Sequence, residues 1–507
     1  MAQPLNTYNA FVEPASLSHK IYCADEVRRH EPEAARLSGL NMYELMERAG
    51  HAAFRQLLAE FPQCHKLLVL CGHGNNGGDG FVLARLAREA GMQVQLVAIG
   101  NSDKYSEDTR QAQKRWLSSG GESLTWPVPL ANHDVIVDAL LGTGVKGEVK
   151  SPYRHIIDEL NKQRLPVLSI DLPSGLHADT GNPCGIAVNA AATVTFVGIK
   201  AGLVTGAGKQ HCGKLGFSAL GIAENFNRLA TPLAILASAN QLAPLPQRKI
   251  NTHKGDYGRL LCIGGNKGMH GAIRLTAEAA LRSGAGLVKV LCHPDSRMLV
   301  AEGRPELMLA DADGKTEALL NWASCIVIGP GLGQDAWAQS QFDTLMAYQK
   351  KSSKPMLIDA DGLNLLAARE SSDLPENTVL TPHPGEAAAL LDQSGAEVQA
   401  DRYDAVNKLT QNYKSTVILK GAGSLVSCNN RKFVLEQGNP GMASGGMGDL
   451  LSGLIGGLMA QGMSAANSAL TGACIHALAG DLCAEQQGQR GMIASDLIPF
   501  IRELVNR

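Results

Sequence analysis

The chain reads as two successive α/β domains, each built on a doubly wound, mostly parallel sheet, and three observations predict this. Apolar runs of strand length alternate with helical stretches along nearly the whole sequence. Most of those runs end in a loop rich in Gly with Asp, Asn, His or Lys. The rhythm breaks once, in the Ala-, Pro- and Leu-rich stretch around Ala243-Pro244-Leu245-Pro246-Gln247-Arg248, which reads as a linker. At 507 residues the chain has room for two or three cores of the usual ~100–200 residues. We therefore expect domains over 1–225 and 249–507 joined by a linker over 226–248.

Taken in order, residues 1–20 carry no pattern, and Asn41 to Phe61 places Met42, Leu45, Met46, Ala49 and Ala53 on one helical face. Leu67 to Cys71 is a compact apolar strand that runs into Gly72-His73-Gly74-Asn75-Asn76-Gly77-Gly78-Asp79-Gly80 and then into a helix from Phe81 to Ala90. Strand, glycine turn, helix is a phosphate-binding arrangement. Further strands are expected at Val94 to Ile99, Val135 to Leu141 and Val167 to Leu172. The last two lead into Asp138 with Gly142 to Glu148, and into Asp171-Leu172-Pro173-Ser174-Gly175, loops that should share one crevice at the carboxyl edge of the sheet.

Past the linker, strands are expected at Arg259 to Gly264, Leu287 to Leu291, Cys325 to Ile328, Pro355 to Ile358, Val379 to Thr381 and Val417 to Leu419. A hairpin follows around Asn429-Asn430. Polar loops close these strands at Gly264 to Lys267, Gly329 to Gly333, Asp359 to Asn364, Thr381 to Glu386 and Lys420 to Ser424. With the stretch Gly438 to Gly453 they imply one polar cleft for something phosphorylated. In that stretch Gly445, Gly446 and Gly448 precede Asp449, and Leu450, Leu451, Leu454 and Ile455 continue at helical spacing. Free N–H groups and the helix dipole would meet there on a phosphate. A carboxylate in such a turn either caps the helix or takes a proton from a hydroxyl that exchanges a phosphoryl group.

A net charge of −2 gives no bulk attraction for nucleic acid or for an anionic membrane, so small molecules are the expected partners. The 11 cysteines include no Cys-x-x-Cys, and several lie in apolar runs, which fits reduced thiols in the cytoplasm. No apolar stretch reaches the ~20 residues of a membrane span.

These motifs resemble a known family. About residues 15–225 resemble the NAD(P)HX epimerase domain, a Rossmann-like sheet, through Gly74 to Gly80 and Asp171 to Gly175. About residues 249–507 look like the ADP/ATP-dependent NAD(P)HX dehydratase, a ribokinase-like fold, through Gly329 to Gly333, Thr381 to Glu386 and Gly438 to Gly453. The order matches the fused bacterial repair enzyme, with Ser444 standing where Thr is expected and Met447 where a small polar residue is expected.

The resemblance implies repair of hydrated nicotinamide cofactors, NADHX and NADPHX. The two C6 epimers are exchanged, and the S form is dehydrated at the expense of ADP or ATP with Mg2+. It implies Asp449 as base for the C6 hydroxyl. Ala272, Gly333, His383 and Asp449 would contact the hydrate, and Lys420, Gly421, Ala422, Gly423, Ser424 and Gly448 would hold the nucleotide. In the first domain it implies Asp171 as the catalytic carboxylate. Asn75, Asn76, Gly77, Gly78 and Asp79 would bind substrate together with Gly142, Thr143, Gly144, Val145, Lys146, Gly147 and Glu148. Potassium would be held by Asn76, Asp138 and Ser174, and a homo-oligomer is expected. From residue types alone, His383 also reads as a rigid-loop histidine, Lys420 as a solvated strand-end lysine and Asp138 as a turn cap. A ribokinase-type small-molecule kinase, and a non-catalytic first domain, are the competing readings.

Overall fold

The computed structural model describes residues 16–310, 316–369 and 373–507. The chain divides between Ile235 and Leu236 into two compact units. The segment 226–248 contains the end of a helix, Ala223–Leu229, and a strand, Ala234–Ala237.

The first unit is built on seven strands, β1 (Lys66–Cys71), β2 (Gln93–Ala98), β3 (Ser123–Leu124), β4 (Val135–Ala139), β5 (Val167–Ile170), β6 (Ala192–Phe196) and β7 (Lys214–Ser218). Their order is β3-β2-β1-β4-β5-β6-β7, and every pair is parallel. Both faces are covered, which is why β1 is apolar without alternation. Leu67, Val69 and Cys71 pack into one core with helix α2 (Met42–Glu60), and Leu68 and Leu70 pack into another with Ile156, Ile157 and Leu160. The chain reverses its winding between β1 and β4, so a crevice opens beyond their carboxyl ends.

Two features depart from the sequence reading. Helix α3 (Asn75–Glu89) begins at Asn75, so Gly77 to Gly80 lie inside it. Gly has poor helix propensity, but contact overrides it here, since a Cβ on Gly77 would sit 2.0 Å from the Gly72 carbonyl oxygen. Strands β6 and β7, unmarked in the sequence reading, extend the sheet. Of these, β6 (Ala-Thr-Val-Thr-Phe) is wholly buried despite its two threonines.

The second unit repeats the plan with nine strands, β8 (Arg259–Ile263), β9 (Leu287–Leu291), β10 (Met308–Leu309), β11 (Cys325–Ile328), β12 (Met356–Ile358), β13 (Thr378–Leu380), β14 (Thr416–Leu419), β15 (Leu425–Cys428) and β16 (Arg431–Leu435). The order is β10-β9-β8-β11-β12-β13-β14-β15-β16. It is parallel through β14 and antiparallel in the last two strands. The β15–β16 hairpin turns on Asn429 and Asn430, both at positive φ, as the tightest two-residue turns require. Helix α4 (Met447–Ala460) is buried almost all round and runs beside the helix His270–Arg282. Both units are α/β with parallel sheets, as expected. Among the described residues no helix is long and apolar enough to cross a membrane.

Candidate functional site

In the first unit the crevice between β1 and β4 opens into a cavity of about 680 Å³. Asn75, Asn76 and Asp79 enter it from the first turns of α3, Gly142, Thr143, Gly144, Val145 and Lys146 from the loop after β4, and Asp171 from the loop after β5. Gly77 and Gly78 serve packing instead, the latter against Met46 and Thr109. Gly147 and Glu148 are not among the lining residues, and Glu148 pairs with Arg154 at 2.7 Å on the surface.

Beneath the cavity floor lies an oxygen-rich nest. Asp138 is fully buried at the end of β4 and accepts bonds from Ser174 Oγ (2.5 Å), Ser174 N–H (2.8 Å) and Ser169 Oγ (2.8 Å). Burial nevertheless pushes its carboxyl above the usual range, against those bonds. Leu141 N–H donates to Ser174 Oγ (2.8 Å), and Asn76 Nδ2 donates to Leu141 O (3.0 Å). Asn76 Oδ1, also buried, has no hydrogen-bond partner. An orphaned buried amide oxygen beside a carboxylate and a hydroxyl suits a hard cation that binds through oxygen.

Asp171 stands in the left-handed region (φ 66°). Its Oδ1 takes a bond from Lys200 Nζ, with Thr195 Oγ1 at 3.2 Å and Phe196 N–H at 3.4 Å on the same atom. Lys200 is 2 % exposed, and Glu31 completes the acidic wall of the cavity. Neither residue was singled out by the sequence. Lys200 ends a two-residue strand, Ile199–Lys200, and Glu31 sits in a charged helix, α1 (Ala24–Leu37), that reads as a solvated surface. A lysine directly after Gly198-Ile199 was the one available signal.

In the second unit Asp449 lies in the first turn of α4, behind Gly446 at φ +86°. Burial pushes its carboxyl up to about 6, with the charges of Asp359, Glu386 and Asp361 adding and that of Lys420 opposing. Thr276 Oγ1 lies 3.1 Å from Ala272 O and 3.0 Å from Asp449 O, tying the Ala272 turn to the Asp449 turn. Lys420 Nζ bonds Asp359 Oδ1 at 2.8 Å and lies 3.7 Å from Glu386 Oε2, while Ser452 Oγ bonds Asp359 Oδ2 at 2.7 Å. Burial works against ionising Asp359, but Lys420 and the hydroxyls of Ser452 and Thr381 outweigh it and hold the carboxyl below its usual range. Glu386 is raised, chiefly by burial. The sequence marked Asp359 and Glu386 only as strand-end residues, whereas the fold makes them the partners of Lys420.

The Gly448 backbone faces the same group, since a Cβ there would lie 3.3 Å from Lys420 Nζ. The turn Lys420 to Ser424 is closed by Gly421 N–H to Ser424 Oγ (3.1 Å) and Ser424 Oγ to Gly421 O (2.9 Å), with Gly423 at φ +58° and Ala422 between. Gly333 N–H donates to Asp361 Oδ2 (2.8 Å), which turns the Gly329 to Gly333 loop toward Asp449's neighbours. His383 caps the helix Pro384–Leu391, its Nδ1 accepting from Gly385 N–H (3.0 Å) and Glu386 N–H (3.2 Å), and leaves over half its side chain exposed. Asp449, Lys420, Gly448, Asp359 and Glu386 thus form one group, and Gly333 reaches it through Asp361.

Residues 260–503 match the family model described as NAD(P)H-hydrate dehydratase, and residues 42–202 match the model described as YjeF-related protein N-terminus. The chain is 44% identical over 501 residues to the bifunctional NAD(P)H-hydrate repair enzyme Nnr of Escherichia coli strain K12, covering 97% of this chain and 95% of that protein. It is 46% identical over 475 residues to the enzyme of the same name from Coxiella burnetii, covering 92% and 96%. A crystal structure of the ADP/ATP-dependent NAD(P)H-hydrate dehydratase from Bacillus subtilis aligns at 25% identity over 52% of this chain and 93% of that one, with a TM-score of 0.46.

Proposed function

The chain belongs to the bifunctional NAD(P)H-hydrate repair enzymes, and from that premise we propose that its first domain, 1–225, exchanges the C6 epimers of NADHX and NADPHX while its second, 249–507, dehydrates the S epimer at the expense of ADP. The observation that carries the second assignment is Asp449, a raised carboxyl at the head of a glycine-capped helix, beside a lysine held in place by two buried acids.

Hydroxide leaves poorly, so the C6 hydroxyl is first made into a phosphate ester. Asp449 takes the hydroxyl proton as oxygen attacks the terminal phosphorus of ADP, and the bond to AMP breaks. The C6–O bond then breaks with phosphate leaving, and loss of a C5 proton restores the nicotinamide double bond. The sum is NAD(P)HX and ADP to NAD(P)H, AMP and phosphate. The amides of Gly446 to Gly448 face the developing phosphoryl charge. Lys420, Gly421, Ala422, Gly423 and Ser424 hold the nucleotide, Lys420 as a fixed point charge beside its phosphates. Ala272, Gly333 and His383 contact the hydrate. Magnesium bound with the nucleotide would supply positive charge against its phosphates.

In the first domain Asp171 handles the proton at the C6 carbinol, with Asn75, Asp79 and the 142–146 loop around the ring. The orphaned Asn76 oxygen, with Asp138 and Ser174, would hold a potassium ion, which would supply a fixed positive charge at the floor of the cavity.

The test supplies purified protein with the separate R and S hydrates of NADH, ADP and Mg2+, and follows the absorbance of reduced nicotinamide. Both epimers should return NADH, Asp449→Ala should abolish this for both, and Asp171→Asn should slow it for R alone. If no NADH appears with ADP or ATP, the dehydratase assignment fails. A stable phosphorylated alcohol in its place would make the second domain a kinase.

A further inference from the structure

The first cavity holds more acid than epimer exchange by Asp171 alone requires. Glu31 reaches it from α1, Asp79 from α3 and Asp171 from the loop after β5, and the one buried cation among them is Lys200. Lys200 Nζ donates to Asp171 Oδ1, to Phe196 O at 2.9 Å and to Thr195 Oγ1 at 3.2 Å, which uses all three of its protons. It cannot also serve Glu31 or Asp79. The bonds that the Asp171 carboxylate accepts fall on Oδ1, which leaves Oδ2 with no hydrogen bond among the described residues.

We propose that Glu31 and Lys200 complete the acid–base machinery of this site: Lys200 is a positioning residue that pins Asp171, and Glu31, sharing a proton with Asp79, is the acid that protonates the departing C6 hydroxyl. The inference rests on the epimerase reading of the first domain. Burial raises both acids, Asp79 well above its usual value, and each is raised further by Asp171 while Lys200 opposes. Burial thus disfavours the charged forms of Glu31 and Asp79 together, so this pair of cavity-lining acids keeps a transferable proton against the cavity.

The step balances without a further reactant. The carboxyl proton passes to the C6 hydroxyl, the C6–O bond breaks with its electrons leaving on water, and the N1 lone pair closes a C6=N1 iminium. Water then adds from the opposite face, Asp171 takes its proton, and that proton returns through the cluster to Glu31 and Asp79.

Exchange of the pure R hydrate is measured in potassium buffer without nucleotide, resolving the epimers by chromatography across pH. Arg28, His73, Asp108, Lys146, Lys150 and Tyr153 also line the cavity, so profiles are compared variant against wild type. Lys200→Met should lower the rate about 100-fold, with Lys200→Arg restoring part of it, and Glu31→Gln should lower it at least tenfold and move the alkaline limb of the profile. A wild-type rate in Lys200→Met overturns the positioning role. A wild-type rate or an unmoved profile in Glu31→Gln overturns the acid. If Lys200→Met melts below the assay temperature, Lys200→Arg and Glu31→Gln decide. A wild-type protein that exchanges nothing overturns the epimerase reading itself, which keeps the two failures apart.

Discussion

Replacing Asp449 by Asn should strengthen the fold of the second unit while ending its chemistry. The wild-type carboxyl is lifted from 3.8 to about 6 by burial and by Asp359, Glu386 and Asp361. Each tenfold change in proton affinity is worth about 1.4 kcal/mol, so holding this group ionised costs at most about 3 kcal/mol. An amide of the same shape removes that cost. It also gives up the attraction between a carboxylate and the helix N-terminus, about 0.3–1 kcal/mol, leaving roughly 2 kcal/mol in favour of Asp449→Asn. Because the folded-state value is raised, wild-type stability is fully present below about pH 4, falls as pH rises toward 6, and is flat beyond. The advantage of the variant should therefore be cut to about a third near pH 4.5 and complete at pH 7.5. Thermal unfolding of the full chain at both pH values reads it as a gap of roughly 4 °C at pH 7.5 that shrinks to about 1 °C at pH 4.5. A gap of equal size at both, or a variant that melts lower at pH 7.5, would refute the account of Asp449 as a strained, charge-crowded base.

Lys420→Met should destabilise the second unit by about 3–5 kcal/mol, because Asp359, with its side chain only 1% exposed, is left without its cation; urea unfolding checks this, and a loss below about 1 kcal/mol would count against the pairing. Exchanging potassium for choline, or Asn76→Ala, should slow turnover of the R hydrate and leave that of the S hydrate unchanged, and equal slowing of both would remove the ion from the first domain. Gly446→Ala forces a side chain into φ +86° and places its Cβ 2.6 Å from Leu275 Cδ1. It should lower the melting temperature by a few degrees, about 1 kcal/mol or more, and reduce dehydration further than stability alone explains by turning the amides proposed to face the phosphoryl group.

Much of this architecture is local information. The parallel strands announce themselves as short apolar runs because both faces are buried, and the glycine loops announce themselves because close approach forbids a side chain. Asp449 could be singled out for the same reason, while Asp171, Asn76 and Lys420 took their roles from the family whose loops these resemble. Glu31 and Lys200 could not be singled out. Glu31 belongs to a run of charges, Asp25 to Glu33, in which nothing distinguishes the one that faces inward, and Lys200 gains its meaning only when Thr195, Phe196 and Asp171 close around it. The start of α3 at Asn75 was hidden by its own composition, since a helix opened by Asn-Asn-Gly-Gly defies propensity and forms because the neighbouring turn leaves room for nothing larger. The partnership of Asp359, Glu386 and Lys420 joins the ends of three different strands, a proximity that no spacing along the chain encodes.

The backbone at Asp171 carries a consequence for how such an enzyme can decay. Left-handed φ is comfortable for Gly, Asn and Asp and for few others. Two of those three bring no carboxyl. With Asp171 in the role proposed above, a drifting gene has open exits at this codon that leave the fold at ease and silence the reaction, and it has few that keep the acid while changing its shape. Lineages released from the need for epimer exchange should collect Asn or Gly there first, well before their cores erode, so a well-folded descendant with either residue at this position would record when the demand for the reaction lapsed.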